Sequence, residues 1–172
     1  MNSTSTGHSL RPAPDLQQYR QALSCFGTGV TVVTAHHDGQ DWGMTCNSFS
    51  SVSLDPALVL WSIRKEASSL HAFTRSGGFT VSVLAQSQAA LAWQFATGTM
   101  PERFAGVPVQ RQDSQRLRLD NAVAWFDCDL HQFIEAGDHM LVLGAVRDFA
   151  CGEADSLAFY RSQLGRFQAL PT

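Results

Sequence analysis

From Asp15 onward the apolar positions Leu16, Tyr19, Leu23 and Phe26 recur at helical spacing and stop at Gly27-Thr28-Gly29. That pattern predicts a first amphipathic helix, capped by glycine, with those four side chains turned to the core. Val30 to Ala35 is mostly β-branched and runs into the turn signal His37-Asp38-Gly39, so it pairs in a hairpin with the stretch that opens at Trp42. Further apolar runs at Leu58–Ile63, Phe79–Leu84, Trp125–Ile134 and Met140–Val146 read as strands, the last two joined across Glu135-Ala-Gly-Asp138. Two weaker helical segments lie between them, one near Ala67–Thr74 with Leu70 and Phe73 inward, the other over Gln86–Ala96 with Leu91 and Phe95 inward. About six strands joined mostly by tight turns predict a mainly β chain, an antiparallel sheet or barrel with a few flanking helices, not a doubly wound parallel sheet.

One segment breaks the alternation expected of a half-buried strand. Over Gly43–Ser53 the residues Thr45, Asn47, Ser48, Ser50, Ser51 and Ser53 place short hydroxyl and amide groups on both faces. In a dry core each unpaired group would cost about 1–3 kcal/mol. The segment is therefore either a loop-rich surface or a wall whose missing partners come from a ligand rich in heteroatoms.

A chain of 172 residues with 44% apolar content supports one domain with a real core, over residues 15–172. Met1–Pro14 is polar and contains proline, lacks a basic start and an apolar stretch, and reads as a disordered tail, neither a secretory signal nor a membrane span. The net charge of −3 and the lack of a dense Lys/Arg stripe argue against nucleic acid or a membrane surface as partner, and Arg116-Leu117-Arg118 reads as a solvated loop. Cys25, Cys46, Cys128 and Cys151 are widely spaced with no paired motif, which suits a reducing, cytoplasmic setting.

Several chemistries fall away on motif grounds. Gly27-x-Gly29 lacks the third glycine, with Val at 32, and it ends a helix and opens a strand, the reverse of a dinucleotide fingerprint. A pyridine nucleotide, if used, is then held without that domain. For metal, no H-E-x-x-H occurs, and His36-His37 falls in a predicted hairpin loop; Asp127, Asp129 and His131 would share one strand face, as a hard-cation site or, equally, a solvent-facing polar row. No metal site is expected. A serine hydrolase is disfavoured because no G-x-S-x-G elbow exists and because His139 follows Asp138 directly, so that their side chains should diverge. His139 itself is either a polar turn residue or a hydrogen-bond donor facing a cleft. Arg64-Lys65 followed by Ser68 and Ser69 is either a phosphate seat or a capping serine beside a solvated charge pair.

The ordered set of a first helix, Gly29-Val-Thr-Val-Val-Thr34, Gly43-Met-Thr-Cys-Asn-Ser-Phe-Ser-Ser-Val-Ser-Leu-Asp-Pro56, Phe79-Thr-Val-Ser-Val-Leu84, Arg103-Phe104 and Gly137-Asp-His139 resembles the short-chain flavin reductases. These are the reductase components of two-component flavin-dependent monooxygenases. The resemblance runs from about Gln18 to Arg161. It implies an FMN-binding antiparallel split β-barrel, a homodimer with flavin sites near the subunit interface, that reduces FMN or FAD with NADH or NADPH for a partner monooxygenase. It implies that Thr45, Asn47 and Ser48 meet the polar rim of the isoalloxazine, that Ser50 and Ser51 meet the ribityl or phosphate end, and that Arg64, Ser68 and Ser69 meet the phosphate. Phe104 would pack near the ring and nicotinamide, and His139 would stand by the reacting edge as the catalytic side chain. The rival is the same barrel retaining its flavin, as a sensor or carrier or as an oxidase of its own substrate.

Overall fold

The computed structural model describes residues 15–168 and 170; the tail expected over Met1–Pro14 lies outside them. Among the described residues the chain runs α1 (Leu16–Ser24), β1 (Thr28–Gly29), β2 (Thr31–His37), β3 (Gln40–Cys46), β4 (Ser50–Leu54), β5 (Ala57–Arg64), α2 (Leu70–Arg75) and β6 (Gly78–Val83). A single 3-10 turn at Gln86–Gln88 leads into α3 (Ala89–Thr97) and α4 (Met100–Phe104). The rest is strand: β7 (Val109–Arg111), β8 (Leu117–Leu119), β9 (Ala124–Ala136), β10 (His139–Cys151), β11 (Leu157–Tyr160) and β12 (Gln163–Arg166).

Seven strands form one antiparallel sheet in the order β3-β2-β6-β9-β10-β5-β4, curled as an open barrel. All six strands expected from the apolar runs are in it; the seventh, β4, belongs to the hydroxyl-rich segment. The β2–β3 turn uses Asp38 and Gly39 at φ 51° and 74°, the conformation that an Asp-Gly pair makes accessible. Inside the barrel Val33, Val59, Trp61, Ile63, Phe79, Val81 and Val142 pack with Phe73 of α2, and Trp61 meets Phe73 and Phe79 edge-on at 4.9 and 5.6 Å. Each such buried side chain contributes about 1.5–3 kcal/mol. A second cluster lies outside the sheet, where Val30, Val32 and Leu84 meet Ala92 and Phe95 of α3, Leu119 of β8 and Leu157 of β11.

Gly43 governs how the helices sit on β3. A Cβ there would lie 2.7 Å from Phe95 and 2.9 Å from Phe104, so only glycine lets α3 and α4 approach this closely.

Four expectations are corrected. The apolar face of α1 does not enter the core: Leu16, Tyr19, Leu23 and Phe26 are all exposed. Periodicity reports that a helix is amphipathic and is silent on what covers its stripe. Arg116 is not in a solvated loop but 6% exposed, its Nε donating to Asp127 Oδ1 at 2.7 Å. Leu117 and Leu119 draw β8 onto the outer face of β2 and β6, where Leu119 N–H donates to Ser82 Oγ at 3.1 Å, and Arg116 goes down with them. Asp127 is accordingly buried and also accepts from Thr80 Oγ1, while Asp129 faces Arg147, so the row Asp127, Asp129, His131 is neither a solvent-facing ladder nor a shared cation site. His36 and His37 belong to the end of β2 and not to a loop, and His36 Nδ1 lies 2.8 Å from Asp41.

Candidate functional site

Where β3 ends at Cys46 the chain turns through Asn47, Ser48 and Phe49 into β4. Ser48 is the latch of that turn: its Oγ accepts the Ser62 N–H at 2.9 Å and lies 3.1 Å from Cys46 Sγ. The bond ties the turn to β5 across the barrel opening. The hydroxyl expected to touch a ligand is therefore also a brace, and Ser62, its partner, is a residue that strand patterning had placed only as an end.

The ladder of β5 and β10 pairs Ser62 with Leu141 and Arg64 with His139, which puts all four on one face. Arg64 is exposed, and His139 is about one-third exposed at 35% of its side chain. Against the expectation that neighbours diverge, His139 Nδ1 meets Asp138 Oδ1 at 2.8 Å, because Gly137 at φ 60° turns the chain tightly enough to bring the two side chains together. That bond from His139 holds the Asp138 carboxyl below the usual carboxylate range. Lys65 N–H donates to the Asp138 carbonyl at 3.0 Å and the Lys65 ammonium pairs with Glu135, so the β9–β10 turn is pinned to the end of β5. Lys65 likewise holds the Glu135 carboxyl below its usual range.

Ser69 occupies the N-cap position of α2, yet its hydroxyl makes no cap bond; it is buried and directed to Met44 Sδ at 4.0 Å. Ser68 is exposed, as are Ser50 and Ser51 on β4, opposite Leu60 and Val59. Arg64, Ser48 and His139 thus come together around the ends of β5 and β10, with Ser68 just beyond Arg64 in the chain.

Thr45 and Asn47 look the other way, toward α3. Thr45 Oγ1 donates to the Ala92 carbonyl at 2.6 Å, which fastens β3 to the helix and leaves the hydroxyl oxygen free to accept. Both residues line a slot of about 230 Å³ together with Val30, Ala92, Trp93, Ala96, Phe159 and Leu164. The Asn47–Ser48 peptide joins this slot to the Ser48, Arg64 and His139 rim. Phe104 is not part of the lining: it packs edge-on against Phe95, ring centres 5.1 Å apart, beneath Gly43. Trp93, Phe159 and Leu164 escaped sequence reasoning. For Trp93 the signal was present, since a large aromatic stands off the Leu91 and Phe95 face of its helix.

A mostly apolar slot with an amide and a hydroxyl at one edge fits a planar heteroaromatic ring, and the adjoining cation and free hydroxyls fit a ribityl phosphate. The residues present are therefore compatible with a flavin. Residues 23–168 match the family model described as the flavin reductase like domain, and the chain belongs to that family.

Among its relatives is a flavin reductase of Pseudomonas putida, 39% identical over 163 residues that cover 94% of this chain and 95% of that protein. The reductase component of the flavin-dependent trigonelline monooxygenase of Acinetobacter baylyi is 40% identical over 147 residues, 85% of this chain. The chain spans 47% of that relative's length. The NADH:FAD oxidoreductase SgcE6 of Streptomyces globisporus, solved with NAD and FAD fragments, superposes with a TM-score of 0.85 at 35% identity, covering 90% of this chain and 93% of that one.

Proposed function

We propose that this chain reduces FMN or FAD with NADH or NADPH and releases the reduced flavin to a separate flavin-dependent monooxygenase, acting as a homodimer in the cytoplasm. The observation that carries the reading is the apolar slot edged by Thr45 and Asn47, one peptide away from Ser48, together with the Arg64–His139 cross-strand pair at the ends of β5 and β10. Membership of the flavin reductase family supports a flavin as the ligand of that groove.

Thr45 and Asn47 offer hydrogen bonds to the ring edge, and Ser50 and Ser51 to the ribityl chain. Arg64 with Ser68 receives the phosphate, a charge-assisted contact; Ser69, buried behind them, positions the loop more than it binds. A bound flavin supplies an acceptor for hydride from a nicotinamide. Such a transfer needs ring alignment and exclusion of water more than it needs a base. The Asp138 bond fixes the His139 ring, so that Nε2 is the nitrogen free to hydrogen-bond a substrate carboxamide.

Support for the homodimer comes from apolar surface left open. Leu58, Leu60, Leu141 and Leu143 share the outer face of β5 and β10 and are only partly buried, and the stripe of α1 is exposed throughout. Contiguous apolar surface of this kind marks interaction sites.

The test is NADH consumption in air by the purified protein at rising FMN. A rate that climbs and saturates with added FMN is expected. A protein whose rate ignores added FMN, with either nicotinamide nucleotide, retains its flavin and is not a reductase of this type.

A further inference from the structure

Trp93 is 57% exposed on α3, and a single exposed aromatic ordinarily needs no explanation. Its setting supplies one. The helix turns Ala92 and Phe95 into the second core cluster and leaves Trp93 and Ala96, three residues apart and so on one face, beside the slot. Ala92 and Ala96 add little bulk beside it, and Phe159 and Leu164 complete the apolar lining. An exposed indole beside two alanines, in a lining that also holds Phe159 and Leu164, offers an aromatic face to a flat ring. The polar groups of the lining, Thr45 and Asn47, lie on β3 and the turn that follows it, so an inserted ring meets hydrogen-bonding groups at one edge and apolar surface on its faces.

We infer that Trp93 is the ring-stacking residue of the slot, and that the ring it holds is the isoalloxazine of the flavin. The inference rests on the flavin reductase reading and adds to it a ring-stacking residue. At about 230 Å³ the slot falls below the roughly 300–1,000 Å³ of sites that enclose a whole drug-sized ligand, so it takes one ring system and leaves the ribityl phosphate outside, toward Ser48 and Arg64. A nicotinamide or an adenine is also flat, but neither presents, along one edge, the run of carbonyl and ring-nitrogen groups that Asn47 and Thr45 are placed to meet.

Trp93→Ala and Trp93→Phe, each checked for an unchanged melting temperature, would be titrated with FMN and with FAD while flavin emission is followed. The KM for NADH would be measured alongside. Stacking on one aromatic face corresponds to about a tenfold change in affinity. Trp93→Ala should therefore bind both flavins about tenfold more weakly, Trp93→Phe should recover most of the loss, and the KM for NADH should hold. Unchanged FMN affinity in Trp93→Ala overturns the assignment. A loss confined to FAD overturns it in favour of adenine, and one confined to the KM for NADH in favour of the nicotinamide nucleotide. Wild-type protein that binds neither flavin defeats the underlying reading instead, which separates the two failures.

Discussion

Replacing Arg116 by Met removes one half of a buried ion pair and leaves the other in place. Asp127 is 6% exposed, and its two hydrogen-bonding side chains are the Arg116 guanidinium, at 2.7 Å, and the Thr80 hydroxyl, at 3.0 Å. Removing one partner of a buried pair costs about 3–5 kcal/mol, since a desolvated charge is left uncompensated. Thr80 still donates to the carboxylate, which places Arg116→Met near the lower end, at about 3 kcal/mol. In a domain of this size each kcal/mol lowers the melting temperature by about 2–4 °C, so a fall of roughly 6–12 °C is expected in calorimetry or a thermal melt. The double variant Arg116→Met with Asp127→Leu should recover much of the loss, because a buried pair replaced by apolar groups is often close to neutral. Had Arg116 stood in a solvated loop, the change would fall within about 0.5 kcal/mol. A melting temperature unchanged by Arg116→Met would therefore refute the burial of this pair and the seating of β8 on the sheet.

His139→Ala should lower turnover at saturating NADH and leave the FMN dissociation constant within about twofold, because a residue that orients the nicotinamide contributes little to flavin binding; a variant with full turnover would remove His139 from the site. Glu135 and Asp138 both have carboxyls held below their ordinary range, by Lys65 and by His139. Their stabilisation of the β9–β10 turn is complete above the unfolded carboxylate value of about 4 and fades as pH falls through the lower folded values. Melts of Glu135→Gln should differ from wild type at about pH 7 and converge with it toward about pH 2, and a difference that widens in acid would contradict the pairing. Burial, the main cause, pushes the Cys128 thiol up to about 12, whereas Cys25 and Cys151 are exposed. A thiol reagent near neutral pH should modify Cys25 and Cys151 and spare Cys128, and mass spectrometry of digested protein will show whether it does.

The strands that build the barrel were legible because each carries a run long enough to show its period, as Leu58–Ile63 and Trp125–Ile134 do. Those that were missed are short, such as β8 with three residues, or polar, such as β4, whose sequence Ser-Ser-Val-Ser-Leu gives no alternation to read. The hydroxyl-rich segment was visible as an anomaly, and the structure divides it by direction, with Thr45 and Asn47 toward α3 and Ser48 toward β5. That division depends on the turn after Cys46, which composition does not encode. Asp138 and His139 illustrate the same limit. Adjacent side chains diverge on an ideal strand, but the pair sits where a positive-φ glycine ends the turn, and the local geometry overrides the period. The exposed stripe of α1 was correctly read as amphipathic and wrongly assigned to the core, since a helix face looks the same whether it meets its own sheet or a second molecule.

The most direct test is anaerobic. A trace of the protein, far below the flavin concentration, is mixed with FMN and excess NADH, and the visible flavin band is followed to completion. Bleaching of the entire FMN pool over many turnovers, at a rate proportional to protein, is the result expected of a chain that binds flavin in this groove, reduces it and lets it go. Bleaching that stops at one flavin per chain, or none at all with NADH and NADPH alike, would contradict it.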